Sequence, residues 1–246
     1  MNVLKMSPQK FILYIAILFT NVVLNGQSSS DEFSKANKLF ENGNYEESFN
    51  ILKGIVEANS LDFPALELLT NASIKLDKTK DVLKILDNLL EENPSVGEYY
   101  LFRAVIYLQL QRYNKSQEDL DNALTYEVPG NYRVKVYLNR GMLQFQLGEY
   151  DLAEKEFTSA LQIDPKNAIA NHSLGMLKYE TQQYDEAISY FVKALKQDDK
   201  SPITHYNLGM TYLKIEDKEN ACYYFNKACD LGYKNACKML YLQCTR

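Results

Sequence analysis

Apolar and polar residues follow a repeating pattern along this chain. Residues 148–161 read GEYDLAEKEFTSAL, and residues 182–195 read QQYDEAISYFVKAL. Tyr, Asp, Ala, Phe, Ala and Leu recur in the same order, 34 residues apart. A Gly-Met pair precedes each segment, at 141–142 and 175–176, and recurs at 209–210. A fixed period of this length predicts a repeat architecture, and the apolar spacing within each segment indicates an amphipathic helix.

A ladder of small residues extends the repeat along the chain. In four units a small residue is followed by others after 12 and then 7 positions. These sets are Gly141, Ala153 and Ala160; Gly175, Ala187 and Ala194; Gly209, Ala221 and Ala228; and Ala104, Ser116 and Ala123. The two earliest units keep the spacing but depart in part from small residues, with Thr70, Val82 and Leu89 in one and Ala36, Ser48 and Ile55 in the other. Small residues at these offsets let two antiparallel helices approach closely, and Gly43 and Gly148 fall where such a pair must turn.

This pattern resembles the tetratricopeptide repeat family, whose unit is a 34-residue helix–turn–helix. The resemblance implies an all-α fold, a right-handed superhelical solenoid of about six units closed by a C-terminal capping helix. The solenoid is expected over 27–246, with units near 29–62, 63–96, 97–130, 134–167, 168–201 and 202–231 and the capping helix at 233–244. The step from Ala104 to Gly141 is 37 residues, so three extra residues near Gly130–Arg133 are expected to lengthen a turn. Tyr100, Tyr137 and His205 stand where the family usually has tryptophan.

The first 26 residues differ from the repeats. Lys5 and Lys10 precede an apolar run from Phe11 to Leu24, and Gly26 follows it. A basic start, an apolar stretch and a small residue before polar sequence are typical of a secretory signal peptide. We therefore predict a signal peptide at 1–26 and no membrane insertion of the mature chain. A retained membrane anchor is the alternative, although a span usually needs about 20 apolar residues.

All four cysteines lie between Cys222 and Cys244, at steps of seven, eight and seven. Residues at the same level of two antiparallel helices have position numbers with a constant sum, and Cys222 with Cys244 gives the same sum as Cys229 with Cys237. We predict these two nested disulfides, which require an oxidising compartment. Formation of the inner bridge alone and four reduced thiols are the alternatives. A metal site is disfavoured, because thiols seven residues apart on one helix lie roughly 10 Å apart.

Charge and composition remove several classes of function. The formal charge is −5 and the sequence pI is about 5.2, so the chain has no field that attracts a phosphate backbone, and no nucleic-acid partner is expected. The two histidines, His172 and His205, are 33 residues apart and occupy non-equivalent repeat positions, so we predict that they pack or line the groove, and a ligand-binding or catalytic pair is disfavoured. The sequence shows no Gly-rich phosphate loop, paired-cysteine metal motif or nucleophile elbow. We expect no enzymatic activity, no cofactor and no metal.

In the tetratricopeptide repeat family, the first helices of successive units line a concave groove that holds a partner peptide or helix. Matching this sequence to that pattern gives three residues from each of four units. The predicted groove residues are Leu101, Val105 and Leu108; Leu138, Met142 and Phe145; His172, Met176 and Tyr179; and Tyr206, Met210 and Leu213. This surface suits an extended or amphipathic segment, because methionine adapts its shape. Packing between adjacent first helices is the alternative role of the same stripe.

The expected function is that of a non-enzymatic protein–protein interaction scaffold or adaptor. It would act in the periplasm or at the cell surface of a Gram-negative bacterium and bind a segment of another protein in the groove. A structural subunit or assembly factor of an envelope complex is the alternative, with the first repeat (residues 31–59) as its docking end. A less favoured alternative is a regulator that binds a small ligand near His172, Tyr179 and Tyr206.

Overall fold

The computed structural model describes residues 31–126 and 128–244, so the predicted signal peptide at 1–26 lies outside the described residues. The described residues form thirteen α-helices and no strand. The helices are α1 (Asp31–Glu41), α2 (Tyr45–Ala58), α3 (Phe63–Lys75), α4 (Thr79–Glu92), α5 (Gly97–Gln109), α6 (Tyr113–Thr125), α7 (Gly130–Leu147), α8 (Tyr150–Ile163), α9 (Ala168–Glu180), α10 (Tyr184–Leu195), α11 (Pro202–Lys214), α12 (Lys218–Asp230) and α13 (Lys234–Cys244). Six pairs, each with a first and a second helix, are followed by the single helix α13. This arrangement confirms the predicted all-α repeat solenoid, and the right-handed sense of its superhelix stays a prediction.

The chain divides into two compact units, Met1–Tyr132 and Arg133–Arg246, and the division falls inside α7. Each unit has a buried core of its own. The largest fully buried side chains of the first unit include Tyr99, Leu66, Leu86 and Leu120, and those of the second include Phe157, Phe191, Phe225 and Leu143. Across 31–126 and 128–244, no helix combines the length and the apolar character that crossing a membrane requires.

The three extra residues of the fourth repeat lie in a helix, so the expectation of a longer turn is wrong. Helix α6 ends at Thr125 and α7 already begins at Gly130, which makes α7 18 residues long, against 13 for α5. The added turn of helix places the buried ring of Tyr132 edge-on to Phe63 and Phe102, with each pair of ring centroids 5.9 Å apart. Packing of the Tyr132 ring therefore stabilises the extra residues of α7 in a helical conformation.

The small-residue ladder is the contact line between the paired helices. Every ladder position except Leu89 is buried. In the last three repeats the glycine of the first helix faces a phenylalanine of the second, and a Cβ added to it would lie 2.5, 2.6 or 2.9 Å from that ring. The pairs are Gly141 with Phe157, Gly175 with Phe191, and Gly209 with Phe225. In two earlier repeats a buried hydroxyl joins the helices instead, because Ser48 Oγ donates to Ala36 O (2.8 Å) and Ser116 Oγ to Ala104 O (3.0 Å).

Each repeat turns between its two helices through one residue in the left-handed region of the backbone. Gly43 and Gly148, which the sequence placed at such turns, have φ of 81° and 80°. The other four repeats use residues with side chains, Asp77, Gln111, Gln182 and Glu216, with φ between 56° and 63°. Because L-residues adopt this conformation at a cost, the packing of the flanking helices must impose it.

Ion pairs join successive helices within each unit, and each group of charges has one buried member, Asp119 or Lys178. In the first unit, Arg103 donates to Asp119 through Nε (2.9 Å) and Nη2 (2.7 Å) and to Asp87 through Nη1 (2.8 Å), which links α4, α5 and α6. Burial raises the pKa of Asp119, and the hydrogen bonds from Arg103 act in the opposite direction. In the second unit, the buried Lys178 lies 2.8 Å from Glu154 and 3.3 Å from Glu186, which links α8, α9 and α10.

Two disulfides join α12 to the C-terminal helix α13. Cys222 pairs with Cys244 and Cys229 with Cys237, with S–S distances of 2.02 and 2.00 Å, and these are the two nested pairs that the sequence predicts. Within α13 only Ala236 is fully buried, while Met239, Leu240 and Cys244 pack partly against the core of the last two repeats. Since so little apolar surface is buried, the covalent bridges supply most of the attachment of α13.

The contact between glycine and phenylalanine can be tested at Gly175. We expect Gly175→Ala to lower the free energy of unfolding by about 1–3 kcal/mol, because the new methyl group meets the fully buried ring of Phe191. Gly54→Ala in α2 is the matched control, since a Cβ there meets nothing within 4 Å and should stabilise the helix by up to about 1 kcal/mol. Urea unfolding measures both, and equal changes in the two variants would contradict the packing argument.

Removal of either disulfide should loosen the cap. We expect Cys222→Ala/Cys244→Ala and Cys229→Ala/Cys237→Ala each to lower the local stability of α13 by about 2–4 kcal/mol, since each bridge restricts the unfolded chain. Hydrogen exchange should then speed up in α13 and remain unchanged in α1 to α4, because a repeat depends mainly on its neighbours. Unchanged exchange in α13 after removal of both bridges would show that packing alone holds it.

Candidate functional site on the first helices

From the second repeat onward, the first helix of each repeat is more buried than the second helix. In α9 the residues from Ile169 to Gly175 and from Leu177 to Tyr179 are all buried, whereas the second helix α10 buries three of its twelve residues. Asn167 starts α9 by accepting a hydrogen bond from the N–H of Ala170 (2.9 Å). A side chain on a first helix is therefore either part of the core or lies at its edge.

The structure divides the twelve predicted groove residues into two sets. Seven are buried, with 1–8% of their surface exposed: Leu101, Leu108, Leu138, Met142, His172, Tyr179 and Met210. Five are half-buried: Val105 in the first unit and Phe145, Met176, Tyr206 and Leu213 in the second. The buried set has the packing role that the sequence left open, and the half-buried set carries the accessible apolar surface.

The second unit brings several of these residues into one apolar cluster. Tyr179 and Met210 belong to its buried core, and Met176, Tyr206 and Leu213 pack against that core. The ring of Tyr206 is held between two others, with its centroid 5.7 Å from that of Phe225 and 5.0 Å from that of Tyr233. Burial raises the pKa of Tyr206, so its hydroxyl is neutral and can donate a hydrogen bond at neutral pH.

His172 is a core residue of the fifth repeat. Its Nδ1 lies 2.9 Å from Thr204 Oγ1, and its ring meets that of Phe191 edge-on at 5.5 Å. Burial lowers the pKa of His172 to about 4, so the imidazole is neutral at pH 7. The side chain therefore joins α9 to α11 by packing and a neutral hydrogen bond.

His205 has a separate structural role. Its Nε2 lies 2.8 Å from the carbonyl oxygen of Asp199, and its ring stacks on Tyr224 with centroids 6.0 Å apart. Among the described residues, no group of three or more His, Cys, Asp or Glu side chains is placed to hold a metal ion. The geometry around both histidines is that of side chains that join helices.

Sequence reasoning missed the polar residues that hold this surface in place. Thr204 Oγ1 lies 2.8 Å from Ser201 Oγ as well as near His172, and the Asn207 amide donates to the Met176 sulfur at 3.0 Å. Ser201 also starts α11, where its side chain accepts from the Thr204 N–H. The Ser201-Pro202 pair is a helix-start pattern in the sequence, but its link to the fifth repeat appears only in three dimensions.

Comparison with known families identifies the repeat. Models described as tetratricopeptide repeat match residues 134–167, 97–127 and 203–235, and a model described as TPR repeat matches 175–215. The chain belongs to the tetratricopeptide repeat family. Tetratricopeptide repeats bind other proteins, so protein–protein interaction is the general role of this architecture.

Known proteins match this chain over part of their length or at low sequence identity. Dynein axonemal assembly factor 4 of Rattus norvegicus is 32% identical over 106 residues, which is 40% of this chain and 25% of that protein. The match thus spans about a quarter of the length of this curated relative. A tetratricopeptide repeat protein of Parabacteroides merdae superposes with a TM-score of 0.65 at 19% identity, over 96% of this chain and 98% of that one. YrrB, a tetratricopeptide repeat protein with an unusual peptide-binding site, superposes with a TM-score of 0.51 at 22% identity, over 74% and 92%.

The buried His172 makes stability depend on pH. Its folded pKa of about 4 lies below the ordinary 6.5, so the unfolded state takes up a proton first as the pH falls. The stabilisation is complete above about pH 6.5 and declines toward pH 4, by up to about 3 kcal/mol. His172→Gln keeps a neutral hydrogen-bonding group and should lose this component. Thermal unfolding of both proteins between pH 7 and 4 measures the difference, and parallel profiles would contradict a buried neutral histidine.

Proposed function

We propose that this protein is a non-enzymatic scaffold that binds a segment of another protein on the first helices of its C-terminal repeats. Phe145, Met176, Tyr206 and Leu213 carry the proposal, because they are half-exposed apolar side chains on three successive first helices, α7, α9 and α11. An apolar segment that covered them would remove this surface from water. The solved structure of YrrB, which has a peptide-binding site, supports such a role for the repeat.

The proposed mode of binding follows from the rigidity of the surface. Met176 and Tyr206 are held by Asn207 and by neighbouring rings, so the segment meets side chains that are already ordered. A preformed site loses little conformational entropy on binding. A helical or extended segment with apolar residues on one side is the expected occupant.

We further propose that the protein works after export, in the periplasm or at the cell surface of a Gram-negative bacterium. Two disulfides join α12 and α13, and disulfides form and persist mainly in oxidising compartments. The basic and apolar start of the chain, residues 1–26, supports the same location through its resemblance to a signal peptide.

Substitution of the half-exposed residues tests the proposed surface. Met176→Asp/Leu213→Asp should reduce capture of the partner from the cell envelope at least tenfold, since two charges would have to be desolvated by the bound segment. Affinity capture with quantitative mass spectrometry measures the loss. Lys193→Ser on the exposed side of α10 is the control and should capture the same partner as the wild type.

A matched substitution separates binding from folding. Met142 occupies the position of Met176 in the preceding repeat but is only 3% exposed, so Met142→Asp should lower the melting temperature sharply. The Met176→Asp/Leu213→Asp variant should retain most of the helical circular dichroism and melt cooperatively. Equal capture by this folded variant and the wild type would refute the first-helix surface as the binding site.

A further inference from the structure

The second helix of the last repeat and the C-terminal helix share an exposed surface that core packing does not use. Tyr223 on α12 is 55% exposed, and Tyr241 and Leu242 on α13 are 73% and 49% exposed. Single exposed apolar residues are common on protein surfaces, but these three accompany a group of lysines. We call this surface the cap face and define it by Tyr223, Lys227, Lys234, Lys238, Tyr241 and Leu242.

The disulfides place these residues on one side of the helix pair. Each bridge fixes which side of α12 faces α13, and the buried residues Ala221, Phe225 and Ala236 lie to one side of that line. On α13, Lys234, Lys238 and Leu242 follow at intervals of four residues on the opposite side, with Tyr241 beside them. Tyr223 and Lys227 occupy the matching side of α12, because two antiparallel helices joined in this way turn the same side outward.

The cap face is basic in an otherwise acidic protein. Lys227, Lys234 and Lys238 are exposed, and residues 231–246 contain no Asp or Glu, although the whole chain has a formal charge of −5. Two exposed acids border this surface on α12: Glu219, one turn before Tyr223, and Asp230, which accepts a hydrogen bond from Asn226 (2.9 Å). The ammonium group of Lys227 lies 5.6 Å from the centre of the Tyr223 ring, so a charge and an aromatic ring are held together. An anionic partner would be attracted to this end of the chain and repelled by the remainder.

We propose that the cap face docks peripherally on the surface of an anionic phospholipid bilayer. Lysines beside tyrosine and leucine on one side of a helix suit the boundary between headgroups and acyl chains, where tyrosine rings are enriched and lysines pair with lipid phosphates. A protein hot spot would instead group its aromatic anchors at the centre of a desolvated pocket. On the cap face, Tyr223 and Tyr241 are 55% and 73% exposed and have lysines beside them instead of a pocket around them, so a planar charged surface matches it better than an acidic protein.

The disulfides give the cap face its rigidity. Because α13 buries one residue fully, its lysines would not keep their register with Lys227 if the bridges were absent. Held in register, three lysines attract the same anionic patch together, and each contributes about fivefold to the binding constant. Such weak peripheral binding leaves the first-helix surface of the repeats available to a protein partner.

Vesicle co-sedimentation of the full mature chain tests this proposal. We expect binding to vesicles of phosphatidylglycerol and phosphatidylcholine, weak binding to pure phosphatidylcholine, and a decline of binding with added salt. Lys227→Gln/Lys234→Gln/Lys238→Gln should reduce binding to the anionic vesicles at least tenfold, and Tyr241→Ser/Leu242→Ser should reduce it several-fold. Lys193→Gln/Lys196→Gln/Lys200→Gln is the matched control, because it removes three exposed lysines from the preceding repeat and should bind normally.

Three results would overturn the proposal. The first is no binding of the wild type to anionic vesicles, and the second is an equal loss of binding in the cap-face variant and the control. The third is binding of a soluble poly-glutamate peptide at the cap face without vesicle binding, which would assign the surface to an acidic protein. Circular dichroism checks that each variant folds. All six lysines are exposed, so their substitution should leave the fold intact.

Discussion

The close approach of the two helices in each repeat determines the rest of this structure. Gly175 leaves room for the Phe191 ring, and Ala187 keeps the neighbouring contact short. Once two helices pack at that distance, the chain between them must reverse within a few residues, which forces one residue into the left-handed backbone region. The contact and the turn together set the 34-residue period. The 37-residue step is tolerated because its extra residues extend the start of a first helix, beyond the contact line.

Much of the fold could be predicted from the sequence because it depends on local spacing. The helix pairs follow from the ladder, and the pairing of cysteines follows from helical periodicity. Other features depend on contacts between distant residues. The helical start of α7 is stabilised by Tyr132 against Phe63, and the left-handed turns at Gln111 and Gln182 are imposed by packing on residues without a glycine pattern. The helical start leaves no local trace in the sequence, and the turn at Gln182 is marked only by its position 34 residues after Gly148.

The sequence could predict which residues of a first helix share one side, but not which of them are accessible to a partner. Residues at i, i+4 and i+7 of a first helix share one side, yet the sequence cannot show how far neighbouring helices cover that side. His172 and Met176 illustrate this point, because they lie one turn apart on α9 and only the first is fully enclosed. The polar supports of the site, Thr204 and Asn207, come from the next repeat. The surface is therefore a property of adjacent repeats, and a single unit would not form it.

The nested bridges also constrain the order in which the C-terminal region can mature. Two sulfurs seven residues apart on a formed helix are separated by about 10 Å, beyond the reach of a disulfide. Cys222 therefore cannot pair with Cys229, nor Cys237 with Cys244, once α12 and α13 exist. In a flexible chain the same pairs are close in sequence and would compete with the native ones. Formation of α12 and α13 thus removes the competing pairs, so the secondary structure selects the native disulfides.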